Sequence, residues 1–243
     1  MFFWFKRKKI ILDCFTSEAL AFDRHKPQKA VHSLPDWYRQ LKPGVPNMKY
    51  CHGFKQFFKN AISLNMWTTL DFTVNTEEKK WDWRASLPST IISEHSPEQY
   101  GYFLSEKDYD HIKLDSPWAL KTNKYVNFAW VDSFWCRNTF DYMFPNTILD
   151  FYYQHTTAIN MFFRLHGPSY TFKIEAGDPL IFLIPLTEEK IEIRHHLITH
   201  QEMLRYMPYD VGSTSQLMRY WIRKKHTDKL LNQQKKCPFG FGS

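Results

Sequence analysis

The sequence predicts a mainly β protein: an antiparallel sandwich or jelly-roll-like body with short N-terminal helices and C-terminal helices. Two observations carry this prediction. From residue 70 to residue 197, short segments alternate apolar and polar residues at period two, the repeat of side chains on a pleated strand. Turn-forming Gly, Pro, Asn, Asp, Ser and Thr separate these segments at the spacing of hairpins. The aromatic content of 18%, with 21 Phe, 13 Tyr and 9 Trp, excludes a disordered chain, which could not bury enough apolar surface to fold.

The first segment, KIILDCF (9–15), is rich in β-branched residues and reads as a strand. In SLPDWYRQLKPG (33–44), Pro35 suits the first turn of a short helix, Trp37, Tyr38 and Leu41 share a face, and Pro43-Gly44 stops it. GFKQFFKNA (53–61) places Phe54, Phe57, Phe58 and Ala61 on one helical face. LDFTVN (70–75) and KKWDWRAS (79–86) then alternate as two strands joined by a short turn, although without the Asn-Gly or Asp-Gly that fixes a tight hairpin. TIISEH, PWALKT and YVNFAWV continue as strands.

In the second half, TILDFYYQH (147–155), INMFFRL (159–165), YTFKIEA (170–176), PLIFLIPL (179–186) and KIEIRHHL (190–197) are spaced as a meander. PLIFLIPL, apolar throughout, reads as a strand covered on both faces. Thr199 and Glu202 form a capping box for a short helix, HQEMLRYM, and Ser213 and Gln216 open a longer one. In that longer helix Leu217, Met218, Trp221, Ile222, Leu230 and Leu231 form a stripe expected to pack on the body, lysines outward. Residues 1–200 are thus expected to form the β body and 201–243 a helical extension packed on it.

The net charge of +7 is unevenly placed. Lys6, Arg7, Lys8 and Lys9 carry +4 and the segment 219–236 carries +6, which leaves −3 for the rest of the chain. Basic ends of this kind suit an acidic partner, an anionic surface or nucleic acid, or simply form a solvated helix face and arm. The opening MFFWF would be a sticky patch unless docked on this chain or a neighbour. Its apolar part precedes its charges and no cleavage site follows, so no secretory signal is expected. No apolar run approaches the roughly 20 residues of a membrane-spanning helix, so no membrane partner is expected. Cys14, Cys51, Cys136 and Cys237 lie far apart without C-x-x-C, and are expected to be reduced, small buried apolar groups rather than zinc ligands or a disulfide scaffold.

Metal chemistry would have to come from RHHLITH (194–200). On a strand, His195 and His196 point to opposite faces, and the cap at Thr199 separates His200 from both. The expectation is a strand-to-helix junction with a buried His195, not a metal site. No His-x-His occurs, and His200-x-Glu202 with His226 would fall on helices, a poor match to a jelly-roll iron site. His155, at a strand end near Asp150, is the other residue that could line a cleft. Asp178 followed by Glu188-Glu189-Lys190 imitates a Mg²⁺-dependent nuclease pattern, but on bends of a β structure rather than in an α/β core. Gly-rich phosphate loops and the G-x-S-x-G elbow are missing from the sequence. The aromatic stretch FAWVDSFW (128–135) would stack on bases or sugars if exposed, and otherwise belongs to core or interface.

KIILDCF, SLPDWYRQL, ISEHSPEQYGYF, HIKLDSPWALKT, ILDFYYQHTTAINMFF and IEAGDPLIFLIPLTEEKIEIRHHLI together resemble an uncharacterised family of T4-like tailed-phage proteins with distant bacterial relatives. The resemblance spans roughly residues 9–200 and brings no activity, cofactor or catalytic residue with it. It implies a phage-encoded virion or assembly component, found in the virion or host cytoplasm. The resulting expectation is a non-enzymatic structural or assembly protein without cofactor, binding other phage structural proteins or itself. Its contacts would be Phe2, Phe3, Trp4 and Phe5 at the N-terminus, and Arg219, Arg223, Lys224, Lys225 and Lys229 on the basic helix. Two alternatives stand beside it. One is a jelly-roll metal-dependent enzyme or small-ligand binder whose pocket is lined by His155, His195 and aromatics, with His200 as a further ligand. The other is a nucleic-acid-binding accessory protein using the basic ends.

Overall fold

A computed structural model describes residues 9–90, 92–152, 156–204, 221, 225 and 228–232 of the chain. Its strands are β1 (Ile10–Thr16), β2 (Gln28–Lys29), β3 (Ile62–Asn65), β4 (Leu70–Asn75), β5 (Lys80–Ala85), β6 (Ile92–Glu94) and β7 (Tyr109–Thr122). They continue with β8 (Asn127–Asp132), β9 (Tyr142–Met143), β10 (Thr147–Asp150), β11 (Thr156–Arg164), β12 (Tyr170–Ile174), β13 (Pro179–Pro185) and β14 (Ile191–Leu197). Helices α1 (Ala19–Arg24), α2 (Asp36–Gln40) and α3 (His52–Asn60) lie near the N-terminus, and α4 (His200–Leu204) follows β14.

The strands form three sheets. The first runs β14-β1-β7-β11-β9 and the second β10-β8-β13-β3-β2; in the third, β4 lies between β12 and β5. The long strand β7 organises the first sheet. Its second half pairs with β1, its first half pairs on the same edge with β6, and β11 covers the other edge. Inward residues of all three sheets meet in one core: Leu12 of β1, Ile112 and Leu114 of β7, Met161 and Phe163 of β11, Ile181 and Leu183 of β13, Phe72 of β4. Phe72 and its cross-strand partner Phe172 stack with centroids 4.7 Å apart, the side-chain pairing that stabilises a sheet face.

The β-rich class with short helices at both ends is as predicted, but the arrangement is not a clean jelly-roll sandwich. The meander expected after residue 147 does not exist. Strands β11, β12, β13 and β14 enter the first, third, second and first sheets in turn, and β14 pairs with β1 in parallel. Period-two alternation shows which side chains face the core; it does not show which strand lies alongside. Strand β13 is covered on both faces as expected: Ile181 and Leu183 face the main core, and Phe182 packs with Phe54 and Phe58 of α3 in a second cluster. Pro35 precedes the first turn of α2 as its cap rather than sitting inside it.

The predicted capping box is present. The Thr199 N–H donates to Glu202 Oε2 at 2.9 Å, and the Glu202 N–H donates to Thr199 Oγ1 at 3.3 Å. Beyond α4 the described residues are helical at Trp221, Lys225 and 228–232. Leu230 is buried with Met203, Ile198, Phe15 and Ala119 on the outer face of the first sheet, while Lys225 and Lys229 are exposed. Of the cysteines, Cys14 is buried and Cys136 half-buried, but Cys51 is exposed as the cap of α3, where its Sγ accepts the Phe54 N–H. Cys237 lies outside the described residues.

Candidate functional site: an anchored aromatic ridge

Strands β8 and β10 are antiparallel neighbours, yet the chain between them, residues 133–146, is far longer than a hairpin needs. It makes a turn at Phe134–Cys136, reaches across to the first sheet as β9, and returns. A long loop without regular structure is costly to order unless side chains hold it; this one is held at several points. At its base the Asp132 N–H donates to Asn146 Oδ1 at 3.1 Å, and Asp132 Oδ2 accepts the Phe144 N–H at 2.9 Å. The same carboxylate pairs with Arg137 at 3.3 Å, whose side chain is only 5% exposed. Arg137 donates to the Tyr142 carbonyl and lies over the Tyr142 and Phe140 rings, at 5.1 and 5.5 Å. Further out, Arg164 donates two hydrogen bonds to Asp141 Oδ1, at 3.1 and 3.3 Å, and stacks on Tyr170 at 3.9 Å.

Above these anchors stands a row of rings in mutual contact. Trp37 of α2 meets Trp135 at 6.2 Å, Trp135 meets Phe134 at 5.3 Å, and Phe134 meets Phe140 at 5.1 Å. The row is rooted in the second core cluster, because Trp135 also lies edge-on to Phe54 at 5.5 Å. The Trp37 indole N–H ties the two segments by donating to the Trp135 carbonyl at 2.9 Å. All four rings are exposed, Phe140 to 65%. Burial raises the Asp132 carboxyl above its ordinary value, ahead of the opposing Phe144 N–H and Arg137. It also pushes the Cys136 thiol up to about 12. Cys136 is therefore a protonated thiol donating to the Ser33 carbonyl, and not a nucleophile. Chemically, the arrangement offers a fixed apolar surface of planar rings, suited to binding.

The structure disperses the sequence-predicted site residues. The half-buried His195 donates Nε2–H to the Pro27 carbonyl at 2.7 Å, and burial, more than the nearby Lys26, lowers its basicity. His196 points to the opposite face, where Nε2 meets Asp13 Oδ1 at 2.7 Å and the ring stacks on Phe15. His200 opens α4, exposed. Asp178 closes its own turn by accepting the Glu175 N–H, and Glu189 pairs with Lys124, so the nuclease-like residues are divided by the whole of β13. Among the described residues, no group of three or more His, Cys, Asp or Glu is placed to hold a metal ion, and no helix is long and apolar enough to cross a membrane. His155, His226, Phe2, Phe3, Trp4, Phe5, Arg219, Arg223 and Lys224 lie outside the described residues.

The ridge divides the FAWVDSFW stretch: Phe128 and Trp130 are buried in the core, while Phe134 and Trp135 are outside. The signal available in the sequence was Ser133, where the alternation breaks, followed by aromatics in the polar stretch SFWCRNTFDYMFPN. The part played by Trp37, from a helix far away in sequence, had no local signal. Set against protein-family models, curated proteins and solved structures, the chain matches none.

Proposed function

We propose that this protein is a non-enzymatic binding subunit of a larger assembly, docking on its neighbours through the ridge of Trp37, Phe134, Trp135 and Phe140. The observation that supports the reading is a contiguous row of exposed aromatic rings, Trp37 from α2 and three from a loop fixed by two arginine–carboxylate pairs. Exposed apolar patches of this kind mark contact sites, and rigid aromatic anchors lose little conformational entropy on binding. The resemblance to tailed-phage proteins extends the proposal: the assembly is a virion or its precursor. Phe2–Phe5 and the basic 219–236 segment would be secondary contacts in it.

Two measurements test the reading. Mass spectrometry of purified virions should find the chain at stoichiometric levels. Sedimentation of the purified protein should show concentration-dependent association that Phe134→Ser with Phe140→Ser abolishes while the fold, read by circular dichroism, is kept. Absence from virions together with a monomer at all concentrations defeats the proposal.

A further inference from the structure

A second segment carrying exposed aromatics lies across the outer face of the first sheet and is held very differently. Strand β6 pairs with the first half of β7, and the pairing continues one step further, where the His95 N–H donates to the His111 carbonyl at 3.2 Å. The two imidazoles are thus cross-strand neighbours. They stack with centroids 4.3 Å apart and planes 15° from parallel. The following turn, 97–100, brings the Tyr100 ring edge-on to His111 at 4.8 Å, and Phe162 of β11 closes the other side at 4.8 Å. Under this cover His111 is only 3% exposed.

The hydrogen bonding of His111 fixes its tautomer. Its Nε2 lies 3.1 Å from Asn160 Oδ1, an amide oxygen that can only accept, so Nε2 carries the proton. Its Nδ1 is buried without a hydrogen-bond partner. A second proton would therefore enter a closed site with no acceptor, against the face of another imidazole.

The ionisable groups around the ring are few. From the edge strand His95 faces it, and from the covering turn the Tyr100 phenol. Strand β11 offers only the neutral Asn160 and Phe162. From its own strand comes Asp110, whose two oxygens already accept the His111 N–H at 2.7 Å and the Trp81 indole N–H at 2.6 Å. Burial first, and then His95, lower the His111 pKa to about 4, against the smaller opposing effects of Asn160 and Asp110.

The segment is braced by short-range backbone hydrogen bonds, from the Gly101 N–H to the Glu98 carbonyl through the Asp108 N–H to the Ser105 carbonyl. Its far end is tied at Asp108, whose carbonyl accepts the Leu165 N–H at 2.6 Å and whose carboxylate pairs with Lys79 at 2.6 Å. Three of its residues nonetheless have an unusual backbone. Gly101, Tyr102 and Asp108 are all left-handed, with φ of 54°, 64° and 54°. For a residue such as Tyr102 this conformation is unfavourable and persists only when surrounding contacts impose it.

We infer that the His95–His111 stack is an acid-sensitive latch. Protonation of His111 at Nδ1 releases the segment from His95 up to its tie at Asp108, uncovering Phe162 and freeing Tyr100, Tyr102 and Phe103. The sign follows from linkage. A folded-state value below the unfolded one means that the hold of His111 on the segment is complete above about pH 6.5 and weakens as pH falls towards about 4. Opening lets the ring titrate near its ordinary value, so going from about pH 7.5 to about pH 5 multiplies the open population by roughly 30-fold.

Hydrogen–deuterium exchange of the full chain, corrected for the intrinsic pH dependence of amide exchange, tests this directly. Peptides covering 95–108 should lose protection roughly 30-fold between those pH values, while peptides of β3, β8 and β13 keep theirs. His111→Gln, which keeps a donor for Asn160 and removes the titration, should make the segment insensitive to pH. Unchanged protection at pH 5, loss spread evenly over the whole chain, or a His111→Gln protein that still opens with acid would each overturn the latch. Should His111→Gln not fold, the imidazole resonances of the wild-type protein decide: a His111 ring titrating above about pH 6 overturns it, and one titrating well below supports it.

Discussion

Two segments of this protein each present several aromatic rings to solvent, and they differ in what lies beneath. The 133–146 loop stands on Arg137–Asp132 and Arg164–Asp141, where each guanidinium also covers an aromatic ring. The 95–108 segment is tied at its far end through Asp108 to Lys79 and the Leu165 N–H, but its near end rests on two stacked imidazoles, with three left-handed residues among those it carries. Arginine keeps its charge over the accessible pH range, whereas imidazole gains one in mild acid. One surface is therefore permanently displayed and the other conditionally attached. Exposure alone would not have separated them; the chemistry of the anchor does.

The largest effect expected from breaking this contrast is at Arg137. Replacing it with Ala leaves the largely buried Asp132 carboxylate without its cation, though it still accepts the Phe144 N–H. The cost is about 2–3 kcal/mol, readable as a lower midpoint in urea unfolding. Arg164→Ala removes a half-buried pair with two hydrogen bonds and the stack on Tyr170. Solvent screens this pair in part, so the loss is about 1–2 kcal/mol.

Acid should sharpen the contrast. The Asp132 carboxyl is raised by burial, so its ionisation works against the loop above its folded-state pKa, and protonation removes that penalty instead of adding one. Exchange protection of 133–146 should thus hold or rise on acidification while 95–108 opens. Parallel loss in both segments would show that the two anchors are equivalent. Smaller still, Tyr102→Gly accepts the left-handed backbone without strain and should stabilise the segment by up to about 1 kcal/mol in thermal unfolding. The least effect on folding is expected from Phe134→Ser with Phe140→Ser. Stability should stay within about 0.5 kcal/mol for each exposed site, while the association measured by sedimentation disappears.

Much of the fold was legible because strand and helix periods are local. The face of α3 formed by Phe54 and Phe58, the hairpin of β4 and β5, the fully covered β13 and the Thr199–Glu202 box are each set by residues a few positions apart. The hairpin turn, although lacking Asn-Gly, is closed by Asn75 Oδ1 accepting two N–H groups and by Lys79 in the left-handed region. What was not legible is non-local. Nothing in KIILDCF announces that Asp13 will meet His196, and nothing in ISEHSPEQY announces that His95 will stack on His111. The histidines of RHHLITH were correctly read as pointing apart. The paired imidazoles lay elsewhere, on segments joined only by strand registry. The ridge was half legible: its aromatic loop shows in composition, its partner Trp37 does not.

The parallel pairing of β1 with β14 constrains how the molecule comes into being. While the chain is synthesised, β1 emerges first, and one edge stays open until residues 191–197 have left the ribosome. Its other edge can be taken earlier by β7, from Leu12 to Phe15. Closing so long a loop makes the last pairing slow, and an open strand edge invites pairing with other chains in the meantime. The nascent protein should therefore need protection from its neighbours until β14 docks, and a chain halted before residue 190 should aggregate rather than wait.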